Sequence, residues 1–116
     1  MADTILSLDH LQNFSHQVFL KIGCPQDQAE LAVTSLLRAD LRGIDSHGVA
    51  RLSGYVRLWE AKRVNSKPNI RIVHESPSTA VVDGDAGLGL VVAPKAMDIA
   101  IAKAKVAGTG WVAVKN

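Results

Sequence analysis

Asn65-Ser66-Lys67-Pro68-Asn69-Ile70-Arg71-Ile72-Val73-His74 is where the periodicity of this chain changes, and that change decides the fold class. Polar turn formers and Pro68 fill residues 65–69, and a β-branched run follows. Before this stretch, apolar residues recur every three or four positions. After it, they come in short strand-like runs.

Working back towards the N-terminus, Leu8, Leu11, Phe14, Val18, Phe19 and Ile22 predict a first helix. Ser7 suits its N-cap, Asp9 its first turn, and Gly23 the left-handed position that ends it. A second helix starts near Pro25, with Asp27 and Glu30 at its positive end, and runs through Ala29, Ala32, Val33, Leu36 and Leu37 until Gly43 stops it. So short a turn makes the two helices a hairpin. A third helix is expected from about Gly48 to Lys62, with Val49, Leu52, Val56 and Trp59 on its inward stripe.

Towards the C-terminus, residues 70–74 and 79–83 predict two strands, residues 91–107 a helix ended by Gly108, and residues 111–114 a short apolar strand. Strand, helix, strand at this spacing is a βαβ unit, which calls for a covered, partly parallel sheet. The fold class is therefore α/β. Residues 1–64 form an N-terminal helical region, a hairpin plus a third helix, and residues 65–116 the first part of a mixed-sheet α/β domain. The last strand is apolar and parallel, so further chain or a partner subunit is expected to cover it.

Composition narrows the function. A net charge of +2 without a dense Lys/Arg cluster, and aromatics at 4%, argue against a nucleic-acid surface. The lone Cys24 cannot build a disulfide framework and reads as a buried structural thiol. The Met1-Ala2-Asp3-Thr4 start has no signal-peptide pattern, and no apolar run spans a bilayer, so a cytoplasmic location is expected. No metal-ligand spacing links the histidines, and no metal is expected. His10 and His16 read as solvated residues of the first helix, and Lys95, Lys103 and Lys105 as solvent-facing residues of the last.

The chemistry concentrates in Asp45-Ser46-His47-Gly48-Val49-Ala50-Arg51-Leu52. If the third helix covers this stretch, His47, Arg51 and Tyr55 share one face at i, i+4 and i+8, with Leu58 beyond them. An imidazole suits proton exchange near neutral pH, and a neighbouring hydroxyl such as Ser46 can fix its tautomer. Arg51 reads either as a bidentate clamp on a carboxylate or as a salt-bridge partner of Asp45 or Glu60. Tyr55 either donates a hydrogen bond to a ligand or packs its ring. Gly84, Gly87 and Gly89 precede a helix, as in a phosphate-cradling turn, but their G-x-x-G-x-G spacing is not the dinucleotide fingerprint. A tight strand-to-helix connection with close backbone contacts is the favoured reading.

The run from Arg38 to Leu52 resembles the malate/L-lactate dehydrogenase family of the non-Rossmann type, which includes sulfolactate and ureidoglycolate dehydrogenases and cyclic imino-acid reductases. The similarity continues through Tyr55-Val56, Pro68, Val82-Asp83-Gly84, Gly89, Ala96-Met97 and Gly110-Trp111-Val112-Ala113-Val114. The resemblance implies an unusual, non-Rossmann dinucleotide-binding fold and an NAD- or NADP-dependent oxidoreductase of 2-hydroxy or 2-oxo acids, malate- or lactate-like. It also implies His47 as proton donor and acceptor (and a weak candidate for a cofactor contact), Ser46 as its orienting group, and Arg51 and Tyr55 on the substrate. A homodimer acting on a small carboxylate is expected, with this chain the N-terminal portion of the enzyme. The isolated 116 residues are then expected to be inactive without the remainder of the chain or a complementary fragment. The alternatives are a catalytically inactive dimerisation or scaffold module, a cyclic imino-acid reductase, and a plain nucleotide-binding module.

Overall fold

The structure, a computed structural model, describes residues 4–116. The Met1–Asp3 start, on which the signal-peptide reading rests, lies outside the described residues. The element order is α1 (Leu8–Lys21), α2 (Gln26–Leu41), two 3₁₀ turns (Asp45–His47 and Val49–Arg51), α3 (Leu52–Glu60), β1 (Arg71–Glu75), β2 (Thr79–Asp83), α4 (Gly89–Ala107) and β3 (Trp111–Lys115).

The hairpin forms as its sequence dictates. Ser7 caps α1 by accepting the His10 N–H at 3.2 Å. Gly23 takes φ +99° and Gly43 φ +71°, each the left-handed residue after a helix. The bonds Cys24 N–H to Phe19 O (3.0 Å) and Ile44 N–H to Ala39 O (2.8 Å) close the two Schellman motifs. Phe19, Ala29, Ala32 and Leu36 are fully buried between the helices, and Cys24 is a free, buried thiol beside them. Burial pushes the Cys24 thiol above its ordinary pKa, as a structural cysteine requires.

The third helix is shorter than its periodicity suggests. The expected span from Gly48 to Lys62 divides into the Val49–Arg51 3₁₀ turn and α3 proper, which ends at Glu60. Lys62 supplies the left-handed residue there, at φ 56°, and Arg63 N–H closes a third Schellman motif on Leu58 O at 2.9 Å. No glycine marks this end, so the sequence carries no stop signal. Leu52 is buried and Val49 and Val56 pack on the core, but Trp59 stays partly exposed at the edge of a groove with Phe14, Val18 and Ile22.

The sheet is mixed, in the order β1-β2-β3. β1 pairs antiparallel with β2 across the Ser76–Ser78 turn, with an irregularity between Ile72 and His74, and β2 pairs parallel with β3. α4 makes the crossover. Ala80 and Val82 of β2 are buried, as are Val92 and Ala96 of α4, which packs against that strand and β3. Lys103 departs from its expected solvent-facing role: its side chain is only 13% exposed, and Nζ donates to Glu75 Oε2 (2.9 Å) and Ser76 O (2.7 Å), fastening α4 to the hairpin. His16 departs too: it is half-buried, and its Nε2 is inaccessible and without a partner. Trp111 (71% exposed) and Val114, with Met97 and Ile101 of α4, leave an apolar surface open beside β3.

One bond joins the hairpin to α4. Pro94 lies inside α4, lacks an N–H, and so frees the Leu90 carbonyl four residues earlier. The Ser35 hydroxyl on α2 donates to that carbonyl at 3.3 Å. Leu88 and Val91 enter the same apolar cluster as Phe19 and Leu36.

The Asp83 carboxylate gathers the sheet's end. It accepts from Asp85 N–H (3.0 Å) and Asn116 Nδ2 (3.2 Å), and Arg71 pairs with it at 3.4 Å. These bonds, the Asp85 N–H foremost, hold its pKa below the ordinary carboxylate value. Asp85 in turn accepts from Asn65 Nδ2 (3.0 Å) and Asn69 N–H (2.8 Å), which pins the loop of residues 65–69 to this turn.

Two predictions follow from these contacts. A carboxylate with a depressed folded pKa contributes stability above its unfolded pKa of about 3.9, and that contribution disappears as pH falls through the folded value. Asp83→Asn should therefore lower the urea midpoint at pH 7, and the gap should narrow as pH falls through the folded value; a gap that does not change with pH would refute the role. At Gly110 a Cβ would overlap the Ala100 carbonyl of α4, whereas nothing lies within 4 Å of one at Gly89. Gly110→Ala should cost about 1–3 kcal/mol in denaturant unfolding, and Gly89→Ala little.

Candidate active site

The segment between α2 and α3 has little local stability of its own: it consists of two short 3₁₀ turns, and Asp45, Ser46 and His47 are all exposed. Asp40, in the last turn of α2, holds it in place. Its Oδ2 accepts the Val49 N–H at 2.8 Å. Gly48 lets the carboxylate approach, because a Cβ there would overlap the Asp40 carboxylate.

Ser46 then organises the two charged candidates. Its Oγ lies 2.8 Å from His47 Nδ1. Its carbonyl accepts from Arg51 Nε at 2.7 Å. Arg51 is thus held by the backbone of residue 46, with its terminal nitrogens left over. Among the described residues it makes no ion pair with Asp45 or Glu60, and Arg42 makes none with Asp45.

His47, Arg51 and Tyr55 line one open cavity of about 500 Å³, along with Gly54, Leu58, Ala61, Arg57 and Arg63. Their common direction does not come from one continuous helix, since His47 precedes the 3₁₀ turn that carries Arg51. The Asp40 and Ser46 bonds bring them together instead. Tyr55 packs its ring on Phe19 (centroids 6.4 Å apart, tilted 46°), and the residue also lines the cavity.

Sequence reasoning missed Arg57 and Arg63. Arg57 falls outside the i, i+4 stripe through Arg51, and Arg63 joins the wall only because Lys62 turns the chain back. Asp40 was visible only as a helix residue, and its distance of nine positions from Val49 left no local signature.

The glycine turn has a structural purpose. A Cβ at Gly84 would lie 2.7 Å from Asn116 O, and one at Gly87 would lie 2.8 Å from Pro68 Cγ and 2.9 Å from Val92 Cγ2. That space belongs to the chain itself, so close packing is reason enough for glycine at 84 and 87. Among the described residues no cluster of three or more His, Cys, Asp or Glu could hold a metal ion. No helix of the described residues is long and apolar enough to cross a membrane.

Comparison with known proteins places this geometry in a lineage. The chain is 44% identical over 112 residues to the L-sulfolactate dehydrogenase of Methanocaldococcus jannaschii, covering 97% of this chain and 33% of that protein. It is 47% identical over 108 residues to the malate dehydrogenase of Pyrococcus abyssi, covering 93% of this chain and 30% of that protein. The solved structure of the M. jannaschii sulfolactate dehydrogenase superposes with a TM-score of 0.94 at 43% identity, over 97% of this chain and 33% of that one. The chain therefore spans about a third of the length of these relatives. The sequence pattern of the malate/L-lactate dehydrogenase family matches residues 6–116, and the chain belongs to that family.

Proposed function

We propose that this chain is the substrate-side, N-terminal part of an NAD(P)-dependent oxidoreductase of 2-hydroxy and 2-oxo acids. The observation that carries the reading is the joint placement of His47 and Arg51 on one cavity wall by a single residue, Ser46. With His47 Nδ1–H donating to Ser46 Oγ, Nε2 is left bare to take the proton of a substrate hydroxyl, and it returns that proton to a 2-oxo group in the reverse direction. Arg51 offers its terminal nitrogens to the adjacent carboxylate, which fixes the reacting carbon relative to the imidazole. Tyr55 borders the same space and contributes a phenol to the substrate.

The nicotinamide supplies the hydride chemistry when bound. Gly54, Leu58 and Ala61 form an apolar strip on the cavity wall that suits a flat ring, and nothing lies within 4 Å of a Cβ at Gly54. The open apolar surface of Met97, Ile101, Trp111 and Val114 suits the remainder of the enzyme or a second protomer of a homodimer. A single buried, free thiol fits a cytoplasmic setting.

The test is NAD(P)H oxidation by the full-length enzyme across a panel of 2-oxo acids and a cyclic imino acid. His47→Ala should lower kcat by about 10²–10⁴-fold with the fold retained by circular dichroism. Arg51→Ala should lower kcat/KM by about 10–100-fold. Undiminished turnover in either variant would refute the assigned role, and no turnover by the unaltered enzyme on any acid would favour an inert scaffold.

A further inference from the structure

Glycine weakens a helix, because the unfolded chain is freer at glycine than at any other residue. A glycine inside a helix therefore needs a reason, and most glycines of this chain have one. Those at 23, 43 and 108 take positive φ, and a Cβ at 48, 84, 87 or 110 would collide with another part of the chain. Gly89 is only the first residue of α4. Gly54 is different. It is the third residue of α3, its φ is not positive, and nothing lies within 4 Å of a Cβ there. The fold has room for a side chain at 54, and alanine would make the better helix.

The cavity supplies the reason that the fold does not. Gly54 lines it together with Arg51, Leu58 and Ala61, and the spacing of three, four and three residues sets these four on one stripe. Gly54 follows Arg51 by three residues, roughly 5 Å along the axis. Bare backbone thus lies beside the guanidinium that clamps the carboxylate, with Leu58 and Ala61 continuing it as an apolar surface. Any side chain at 54 would project into this space.

Building on the 2-hydroxy/2-oxo acid reading, we infer that Gly54 is kept without a side chain for the nicotinamide ring, although the glycine weakens α3. It sets the clearance at which the ring meets the acid held by Arg51. It carries no charge and moves no proton. One missing side chain has two effects, so substitution should separate them: stability rises while cofactor affinity falls.

The test is calorimetric titration of the full-length enzyme and its Gly54→Ala and Gly54→Gln variants with NADH and NADPH. ADP-ribose and its 2′-phosphate, which lack the nicotinamide, serve as ring-free controls, and urea unfolding is followed for each protein. Alanine and glutamine are both strong helix formers, so the urea midpoint should rise by roughly 0.1–0.5 M. Kd for the preferred dinucleotide should rise about fivefold in Gly54→Ala and about thirtyfold or more in Gly54→Gln. Kd for the matching ring-free nucleotide should stay within about twofold. Unchanged dinucleotide affinity in Gly54→Gln would overturn the inference. An equal loss for the ring-free nucleotide would overturn the assignment to the ring. A lowered midpoint in Gly54→Ala would overturn it as well, by showing that the fold itself needs the bare position. Binding of neither dinucleotide by the unaltered enzyme would overturn both this inference and the reading beneath it.

Discussion

The Asp40 carboxylate, by accepting the Val49 N–H, holds together what would otherwise be a loose connection between two helices. The segment it anchors offers only 3₁₀ hydrogen bonds of its own, and several of its residues are exposed. An acceptor on the end of α2 gives that segment a fixed address on a rigid element. Gly48 is the steric condition for that contact, because any side chain there would occupy the carboxylate's place. Ser46, held in this way, uses its hydroxyl on His47 and its carbonyl on Arg51. Two candidate site residues thus take their orientation from one residue, and that residue from one carboxylate.

The same helix connects the site to the rest of the molecule. α2 contributes Ala29, Ala32, Val33, Leu36 and Leu37 to the apolar cluster, and its Ser35 satisfies the carbonyl that Pro94 leaves open in α4. Buried polar groups are costly unless paired, so this bond fixes where α4 sits against the hairpin. α4 in turn sets the parallel pairing of β2 with β3, and the Asp83 and Asp85 carboxylates tie the loop of residues 65–69 to the sheet's end. The cavity wall is consequently built on helices that are packed on one side and charged on the other. Preorganisation of that kind is what positioning a carboxylate next to a proton carrier requires.

Local signals were legible wherever the physics is local. Ser7, Gly23, Gly43 and Gly108 mark helix ends because capping and left-handed φ demand those residue types. The change of period after residue 64 foretells the sheet, and the β2-α4-β3 crossover has the parallel pairing its spacing implies. That His47, Arg51 and Tyr55 share one cavity was legible, but for an incomplete reason: helical periodicity alone does not bring His47 and Arg51 together. What the sequence hid was long-range. Lys62 ends a helix in a conformation lysine seldom adopts, Lys103 is drawn from solvent by Glu75 and Ser76, and His16 turns its Nε2 inward. Gly84 and Gly87 imitate a phosphate turn because close backbone packing and phosphate binding require the same absent side chain.

The most direct measurement is a crystal structure of the full-length enzyme with oxamate, an unreactive mimic of a 2-oxo acid. Its carboxylate should lie on the terminal nitrogens of Arg51, with its adjacent carbonyl oxygen within hydrogen-bond reach of His47 Nε2 and Ser46 still on Nδ1. Oxamate seated away from this cavity, or seated in it with His47 turned aside, would contradict the assignment.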